Sequence, residues 1–389
     1  MFSEEHFLKI QSVFRIKLAQ IMFVSFVLSF FLACNPSQIL AKSKTKSKKS
    51  KSKQKTAQAA PAIKRQQLNY GEKSEEAFEF EEVWGYVMVG RENEFNPKSP
   101  ITDVGYFVSA VNTYSEMDAV PERDKFFKDY TGRVHLVTSV DSRSQAHLLL
   151  DPELPLRERI IEQMIEAAKT YDGLQIDWEN IPKNDYKNFL DFLKILRKEM
   201  RNKPLTIAVP ARLKTLENDI FDYKNISEVV DKILIMAYDE HWSTSAPGAI
   251  GSTDWCRRIA EYAKTVIPED KLVMGISLYG RTWLSVPYRG QAWYESGIER
   301  IKKENGIKEV KRDSYGVPHF TFKETGTITG WYDDITSLKV KFKMYKDIGV
   351  NRIGFWRLGF EEPDLWKEIK LPEPDVEPTK DPEVEFAAK

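Results

Sequence analysis

Two carboxylates stand two residues apart near the middle of the chain, at Asp177 and Glu179. Side chains alternate between the faces of a β-strand, so both would point to one face together with Gln175. The apolar residues between them would point to the other face, where helices can pack. Buried carboxylates are costly unless they are partnered or used, and paired carboxylates are the groups that break glycosidic bonds. The spacing predicts glycosidic chemistry, and a structural ion-pair network is the alternative.

From Val83 onward, short apolar runs alternate with amphipathic stretches, which is typical of a parallel sheet with crossover helices. Eight such runs predict an α/β fold in which a (β/α)8 TIM barrel closes. The predicted strands are 83–89, 103–111, 133–140, 173–179, 205–209, 232–238, 271–278 and 352–356.

Polar and aromatic residues follow three of these strands, at the end where parallel barrels carry their sites. The fourth strand ends in the two carboxylates, the sixth at Tyr238 and Asp239, and the eighth at Trp356. We expect these side chains to converge on one face of the barrel. An ordinary barrel-end tyrosine and a core tryptophan are the alternatives for Tyr238 and Trp356.

These motifs resemble glycoside hydrolase family 18, whose fourth strand carries Asp-x-x-Asp-x-Asp-x-Glu and whose sixth carries Met-x-Tyr-Asp. The first motif reads Asp172, Gln175, Asp177, Glu179 here, and the second includes Tyr238 and Asp239. The chain is most similar to the branch of spore-cortex-lytic, peptidoglycan-acting N-acetylglucosaminidases. That branch shares Asp-Gly-x-x-Ile-Asp-x-Glu-Asn-Ile-Pro and a Phe-Trp-Arg-Leu-Gly ending, both present in this chain.

The resemblance implies the roles of the site residues. Glu179 would be the general acid and base, Asp177 would orient the substrate's N-acetyl group, and Tyr238 would donate to its oxygen. Gln175 departs from the chitinase pattern, which has an ionisable aspartate there, but it could donate a hydrogen bond to Asp177. The residues expected to bind substrate are Gln175, Asp172, Asp239, Trp356, Tyr279 and Arg281.

The barrel is expected to span residues 81–371, with a lobe inserted after the seventh strand at about 284–333. This insertion is rich in Tyr, Trp and Phe, and loops of such length inside a compact domain are usually functional or small subdomains. The segment 372–389, rich in Pro and Glu, is expected to be a disordered tail.

The net charge of zero hides an asymmetry, because residues 42–65 hold ten Lys or Arg and no acid. Residues 1–33 contain an apolar run after basic residues, which predicts an export signal. The ending at Cys34 resembles a lipobox, so Cys34 is a candidate for lipidation; a plain secretory signal or an uncleaved anchor is the alternative. We expect 34–80 to be a disordered tether, serving as a spacer or attracted to anionic surfaces.

Several partners and cofactors are not expected. Cys256 is the other cysteine and is predicted to be a small core residue, so neither a disulfide framework nor a cysteine metal site can form. No His or Cys spacing indicates a metal, no cofactor is implied, and nucleic acid is not expected as a partner. We expect a monomer.

The sequence therefore predicts an exported, membrane-anchored glycoside hydrolase of the cell envelope. Its expected substrate is a polysaccharide with β-linked N-acetylglucosamine, hydrolysed with retention by substrate-assisted catalysis. Peptidoglycan is favoured by the branch and by the envelope address. A chitinase or chito-oligosaccharide hydrolase, and a non-catalytic carbohydrate-binding barrel, are the alternatives.

Overall fold

The computed structural model describes residues 63–374, except 113, 141, 286–287 and 324–325. The predicted export signal, Cys34 and most of the lysine-rich segment lie outside the described residues, as does the tail from residue 375. Within the described part, every helix is too short or too polar to cross a lipid bilayer.

Strands of more than two residues are numbered here in chain order. They are β1 (Glu82–Met88), β2 (Asp103–Ala110), β3 (Arg133–Ser139), β4 (Gly173–Asp177), β5 (Leu205–Pro210), β6 (Lys232–Met236), β7 (Leu272–Ser277), β8 (Tyr279–Ser285), β9 (Tyr288–Tyr294), β10 (Pro318–Lys323), β11 (Thr327–Trp331) and β12 (Arg352–Trp356).

Eight of these strands close a parallel barrel in the order β12-β1-β2-β3-β4-β5-β6-β7. The barrel predicted from the sequence is confirmed, and each predicted strand overlaps one of the eight. The last strand closes the circle by pairing with the first, with Ile353 opposite Val83. The fourth strand is shorter than predicted, because it ends at Asp177 and not at Glu179.

Most of the helices connect barrel strands on the outside, whereas the first precedes the barrel and the eighth belongs to the inserted lobe. The helices are α1 (Arg65–Leu68), α2 (Asp124–Phe127), α3 (Arg143–Leu150), α4 (Pro155–Ala167), α5 (Tyr186–Met200), α6 (Tyr223–Ser227), α7 (Thr253–Lys264), α8 (Glu295–Glu304) and α9 (Ile335–Asp347). Short 3-10 turns lie at Glu92–Glu94, Ala168–Thr170, Lys183–Asp185, Glu269–Lys271 and Leu365–Glu368.

The alternation of side chains along β4 separates the outer core from the barrel interior. Leu174 and Ile176 belong to the large core between the strands and the helices. Gln175, on the opposite face, has a fully buried side chain inside the barrel. This is the alternation that the sequence predicts, and it leaves Asp177 on the inner face at the end of the strand.

The lobe after the seventh barrel strand is a five-stranded antiparallel sheet with α8 against it. Its strand order is β9-β8-β11-β10, followed by the two-residue strand Lys311–Arg312. It has a small core of its own around Ile298, Phe320 and Tyr332. The sheet begins at Tyr279, earlier than the predicted boundary at 284, because β8 follows β7 almost directly.

The described start of the chain corrects the predicted tether, which was expected to run to residue 80. Leu68 is buried in the main core, and Asn69 exchanges two hydrogen bonds with the backbone of Leu371. Phe78–Glu79 pairs in parallel with Ile369–Lys370. Apolar side chains and strand pairing thus hold residues 63–80 against the barrel. Cys256 is buried, as predicted.

Candidate active site

A cavity of about 400 Å³ opens at the C-terminal end of the barrel. Its walls come from the ends of β4, β5, β6 and β12 and from the start of α7. Five of the predicted site residues lie in these walls. The lining residues are Asp177, Glu179, Pro210, Ala211, Met236, Tyr238, Asp239, Trp255 and Trp356.

Asp177 is the last residue of β4, and its side chain is only 8% exposed. Its Oδ1 atom has no hydrogen-bond partner among the described residues. Burial first, and then the charge of Glu179, raise the pKa of Asp177 to about 8. The Asp177 carboxyl is therefore protonated at neutral pH.

Glu179 lies two residues beyond the end of β4, where it is exposed and lines the cavity. Partial burial of its carboxyl, followed by the charge of Asp239, raises the pKa of Glu179 above its usual value. The negative neighbour that acts on Glu179 is therefore Asp239, whereas the charge of Glu179 acts on Asp177.

Gln175 lies beneath the cavity and does not line it. Its Oε1 accepts a hydrogen bond of 2.6 Å from the Tyr86 hydroxyl, and its Nε2 donates to Thr206 Oγ1 at 3.2 Å. The expected hydrogen bond from Gln175 to Asp177 is absent from the hydrogen bonds of the described residues. Both polar ends of the amide are used inside the barrel, so the prediction that Gln175 binds substrate directly is wrong.

Tyr238 and Asp239 follow β6 and enter the cavity from the other side. Burial and the neighbouring acidic groups raise the pKa of Tyr238 well above its usual value, so the hydroxyl stays a donor. Asp239 has a positive φ of 59°, a conformation that non-glycine residues adopt rarely and that is often found at functional sites. The next residue fixes this turn, because the Glu240 carboxylate accepts a hydrogen bond from the Ser252 N–H.

The lobe holds the Asp239 carboxylate in place through two side chains of β8. The Tyr279 hydroxyl donates to Asp239 Oδ1 at 2.6 Å, and Arg281 Nη2 donates to the same atom at 2.7 Å. Neither side chain lines the cavity. Tyr279 and Arg281 therefore position Asp239, and their predicted contact with substrate stays a prediction.

Trp356 ends β12 and forms an aromatic wall of the cavity. Its ring contacts Tyr86 at 5.3 Å and Phe107 at 5.4 Å between centroids. Both supporting rings come from neighbouring strands β1 and β2. This packing fixes the plane of the indole while leaving part of it open to the cavity.

Residues 147–361 match the sequence model of a family described as glycosyl hydrolases family 18. The match covers more than half of the 389 residues and includes every residue that lines the cavity. The chain belongs to glycosyl hydrolases family 18. The family predicted from the motifs is thus confirmed.

Individual relatives agree with this assignment to family 18. The chain is 24% identical over 282 residues to the cortical fragment-lytic enzyme of Bacillus subtilis, covering 69% of this chain and 62% of that protein. It is 24% identical over 244 residues to di-N-acetylchitobiase of Mus musculus, covering 54% of this chain and 66% of that protein. The chain thus spans less than two thirds of the length of each of these curated relatives.

The fold is also similar to solved structures of family 18. The crystal structure of the Bacillus cereus spore cortex-lytic enzyme SleL superimposes with a TM-score of 0.68 at 20% identity, covering 76% of both chains. The Bacillus megaterium SleL structure gives a TM-score of 0.66 at 19% identity, covering 77% of this chain and 76% of that one. These matches, with the Bacillus subtilis relative, confirm the predicted similarity to the spore-cortex-lytic branch.

Asp172 is a predicted site residue that lies outside the family 18 cavity. It precedes β4, at the N-terminal end of the barrel, and Asp177 ends the same strand. Its Oδ2 atom accepts hydrogen bonds from Arg123 Nε at 3.0 Å and from the Val134 N–H at 2.8 Å. The prediction that Asp172 binds substrate is wrong, because a five-residue strand separates it from the cavity.

The sequence did not identify Trp255 and Tyr86 as parts of the site. Trp255 lines the cavity from the first turn of α7, where its N–H is capped by Ser252 Oγ. The prediction considered only strand ends, whereas Trp255 comes from a helix start. Tyr86 lies in the middle of β1 and acts through Gln175, so no motif marks it.

No group of three or more His, Cys, Asp or Glu side chains that could hold a metal ion occurs within the described part of the chain. The expectation that the family 18 site works without a cofactor stays a prediction.

Proposed function

We propose that this chain is a retaining glycosidase that hydrolyses β-linked N-acetylglucosamine bonds in peptidoglycan by substrate-assisted catalysis. One observation carries the proposal. Glu179, Asp177 and the Tyr238 hydroxyl line the same cavity, beside the aromatic wall of Trp356.

Glu179 is the general acid and base. It is the more exposed of the two carboxyls, so it can reach the oxygen of the scissile bond. Its raised pKa favours the protonated form that the first step needs. A bound sugar would exclude water and raise this pKa further. After it has protonated the leaving group, the Glu179 carboxylate takes a proton from the incoming water.

Asp177 and Tyr238 act on the substrate's acetamido group. The Asp177 carboxyl, with Oδ1 unpaired and buried, accepts the acetamido N–H and orients the group. The Tyr238 hydroxyl donates to the acetamido oxygen, which attacks the anomeric carbon. This attack and the later attack by water each invert that carbon, so the product keeps the β configuration.

The charge of the cavity supports a neutral sugar at the cleaved position. Three carboxyl groups line it, from Asp177, Glu179 and Asp239, and none of the described lining residues is a Lys, Arg or His. A muramic acid residue whose lactyl carboxyl bears no peptide would bring a carboxylate among these three carboxyl groups, which is unfavourable. A muramic acid residue that bears a peptide would bring a much bulkier substituent on O3. N-acetylglucosamine carries neither, so we assign the cleaved bond to the one that follows N-acetylglucosamine.

Chitin is the second candidate substrate, because it presents the same uncharged sugar on both sides of the bond. The similarity to di-N-acetylchitobiase favours this candidate. The similarity to the cortical fragment-lytic enzyme favours peptidoglycan. A non-catalytic carbohydrate-binding barrel is the alternative from another class, and Gln175, which cannot ionise, is its main support.

The experiment that separates these functions is digestion of purified peptidoglycan and of chitin oligomers by the full chain, followed by mass analysis of the products. We expect reducing-end N-acetylglucosamine from peptidoglycan. We expect Glu179→Gln to lose activity by about 10²- to 10⁴-fold while it still binds the polymer, because it keeps the shape and loses the proton.

Glu162→Gln is the matched control, since Glu162 is an exposed acid on α4 outside the cavity. It should digest like the wild type. If the wild type binds either polymer but releases no sugar product from it, the non-catalytic carbohydrate-binding barrel would be the remaining function. Release from chitin alone would select the second substrate, and reducing-end muramic acid would reverse the assigned bond.

We also propose that the protein is exported and anchored in a membrane through a lipid on Cys34, as the sequence motifs predict. The test is palmitate labelling of the wild type and of Cys34→Ala in a bacterial host. Labelling should disappear in Cys34→Ala and persist in the control Cys256→Ala. Equal labelling of wild type and Cys34→Ala would overturn the anchor.

A further inference from the structure

Tyr294 is a large aromatic residue with 47% of its surface exposed, at the end of β9 in the lobe. Exposure of a single aromatic residue is common on protein surfaces and by itself indicates nothing. Two further observations distinguish Tyr294: the packing beneath its ring and its position beside the cavity.

The Tyr294 ring is supported from below by two side chains that follow β12. It stacks on Phe360 with 5.5 Å between the centroids and an angle of 26°. The Arg357 guanidinium lies 4.0 Å from the centroid of the Phe360 ring. Arg357 is fixed in turn by Glu94, whose Oε2 accepts from Nη1 at 2.7 Å. The stack is therefore held in one orientation before any ligand binds.

Strand pairing puts Tyr294 beside the wall of the cavity. Tyr294 stands directly opposite Tyr279 in the antiparallel pair of β8 and β9. Residues so paired share one face of the sheet, with Cβ atoms about 4.5–5.5 Å apart. Tyr279 donates its hydroxyl to Asp239, which lines the cavity. Tyr279 therefore lies between Tyr294 and Asp239, the cavity residue that the lobe holds in place.

We infer that the exposed face of Tyr294 is a stacking platform for a sugar residue of the bound polysaccharide, outside the cavity. The inference rests on the proposed function and extends it to sugar residues of the polysaccharide that lie outside the cavity. The apolar C–H face of a pyranose ring packs on an aromatic ring, whose polar edge remains in water. A polysaccharide that leaves the cavity on the lobe side passes over this ring.

The experiment compares Tyr294→Ala with Tyr294→Phe, which keeps the ring, and with Tyr114→Ala, which removes a tyrosine that is 79% exposed on another loop. Each is measured on polymeric peptidoglycan and on a short fluorogenic N-acetylglucosaminide that fills the cavity only. We expect Tyr294→Ala to raise KM for the polymer about 2- to 10-fold with kcat unchanged. Its kinetics on the short substrate should match the wild type, and Tyr294→Phe should restore the polymer KM.

Equal polymer KM values for Tyr294→Ala and Tyr114→Ala would overturn the inference. Loss of activity on both substrates together with a lowered Tm would also overturn it, because the residue would then be structural. If the wild type hydrolyses neither substrate, the proposed glycosidase function fails by itself. Sedimentation of each variant with insoluble peptidoglycan then decides the inference, since only Tyr294→Ala should bind more weakly.

Discussion

At the scale of single residues, Asp177 and Glu179 both hold their protons more tightly than free carboxyls do. Burial and the charge of Glu179 raise the pKa of Asp177 to about 8. Burial and the charge of Asp239 raise the pKa of Glu179 above its usual value. The raised pKa of Glu179 favours the protonated form that the first catalytic step needs.

Asp177→Asn is expected to stabilise the fold while it abolishes hydrolysis. The folded-state pKa of Asp177, about 8, lies above the unfolded value of about 3.9. Ionising this group therefore costs stability as the pH rises from about 4 to 8, whereas asparagine stays neutral. Thermal unfolding should give a Tm advantage for Asp177→Asn that grows between pH 5 and 8. A Tm difference that does not change with pH would contradict this.

Tyr86→Phe tests the hydrogen bond that fixes Gln175. Removing the hydroxyl leaves Gln175 Oε1 buried without its donor, which costs about 1–3 kcal/mol of unfolding free energy. Urea unfolding measures the change. Tyr70→Phe is the control, because Tyr70 is 60% exposed and its loss of a hydroxyl should cost almost nothing. Equal unfolding free energies for Tyr86→Phe and the wild type would show that the hydrogen bond from Tyr86 to Gln175 does not stabilise the fold.

The sequence predicted some site residues and missed others for identifiable reasons. Asp177, Glu179, Tyr238, Asp239 and Trp356 follow strands that apolar runs mark clearly, so the end of each strand locates them. The partners of the Gln175 amide could not be predicted, because Tyr86 and Thr206 come from other strands and depend on barrel register.

The barrel strands and the lobe sheet both contribute to the cavity. The barrel strands were predictable because each is a short apolar run between polar loops. The lobe sheet was not, because β8 pairs with β11 across a long segment that contains α8. Sequence patterns reveal local periodicity and not such distant pairing. The lobe nevertheless supplies Tyr279 and Arg281, which position Asp239.

Gly280→Ala should disturb the lobe and the cavity together. A Cβ atom at residue 280 would lie 2.6 Å from the Tyr332 Cβ and 2.7 Å from the Trp331 carbonyl oxygen. Strands β8 and β11 would have to separate, at a cost of about 1–3 kcal/mol, and Arg281 would shift from Asp239. Chemical unfolding and hydrolysis assays should both show a loss. Thr321→Ala, at an exposed position of β10, should leave both unchanged.

The two ends of the barrel serve different purposes at the scale of the whole molecule. The C-terminal end carries the cavity, whereas the N-terminal end carries a buried charge cluster. Asp103 accepts from Arg133 Nε at 2.6 Å and lies 2.8 Å from His135 Nε2. Burial by itself would raise the pKa of Asp103, but the charge of Arg133 and the hydrogen bonds from His135 and Arg133 hold it well below its usual range.

Asp103→Asn is expected to destabilise the fold without a change at the cavity. It leaves the partly buried Arg133 with only the more distant Glu82 carboxylate, at 3.6 Å, and the loss of the closer buried partner costs up to about 3–5 kcal/mol. The depressed pKa means that the stabilisation by Asp103 is present above about pH 4, its unfolded pKa range, and is lost as the pH falls further. Urea unfolding should therefore show a gap between wild type and Asp103→Asn that narrows below about pH 4. A gap that widens in acid would contradict the assignment.

The pairing of β12 with β1 also has a consequence for how the molecule is made. Glu82 and Arg352 are register partners. The first barrel strand to be synthesised, β1, can therefore pair on this edge only after the last strand, β12, has left the ribosome. Trp356 arrives with that last strand. Until then β1 and β7 both have an unpaired edge, and the aromatic wall of the cavity is missing. Synthesis of the barrel strands and assembly of the cavity are therefore completed together, and an N-terminal fragment that ends before β12 lacks both the closed barrel and Trp356.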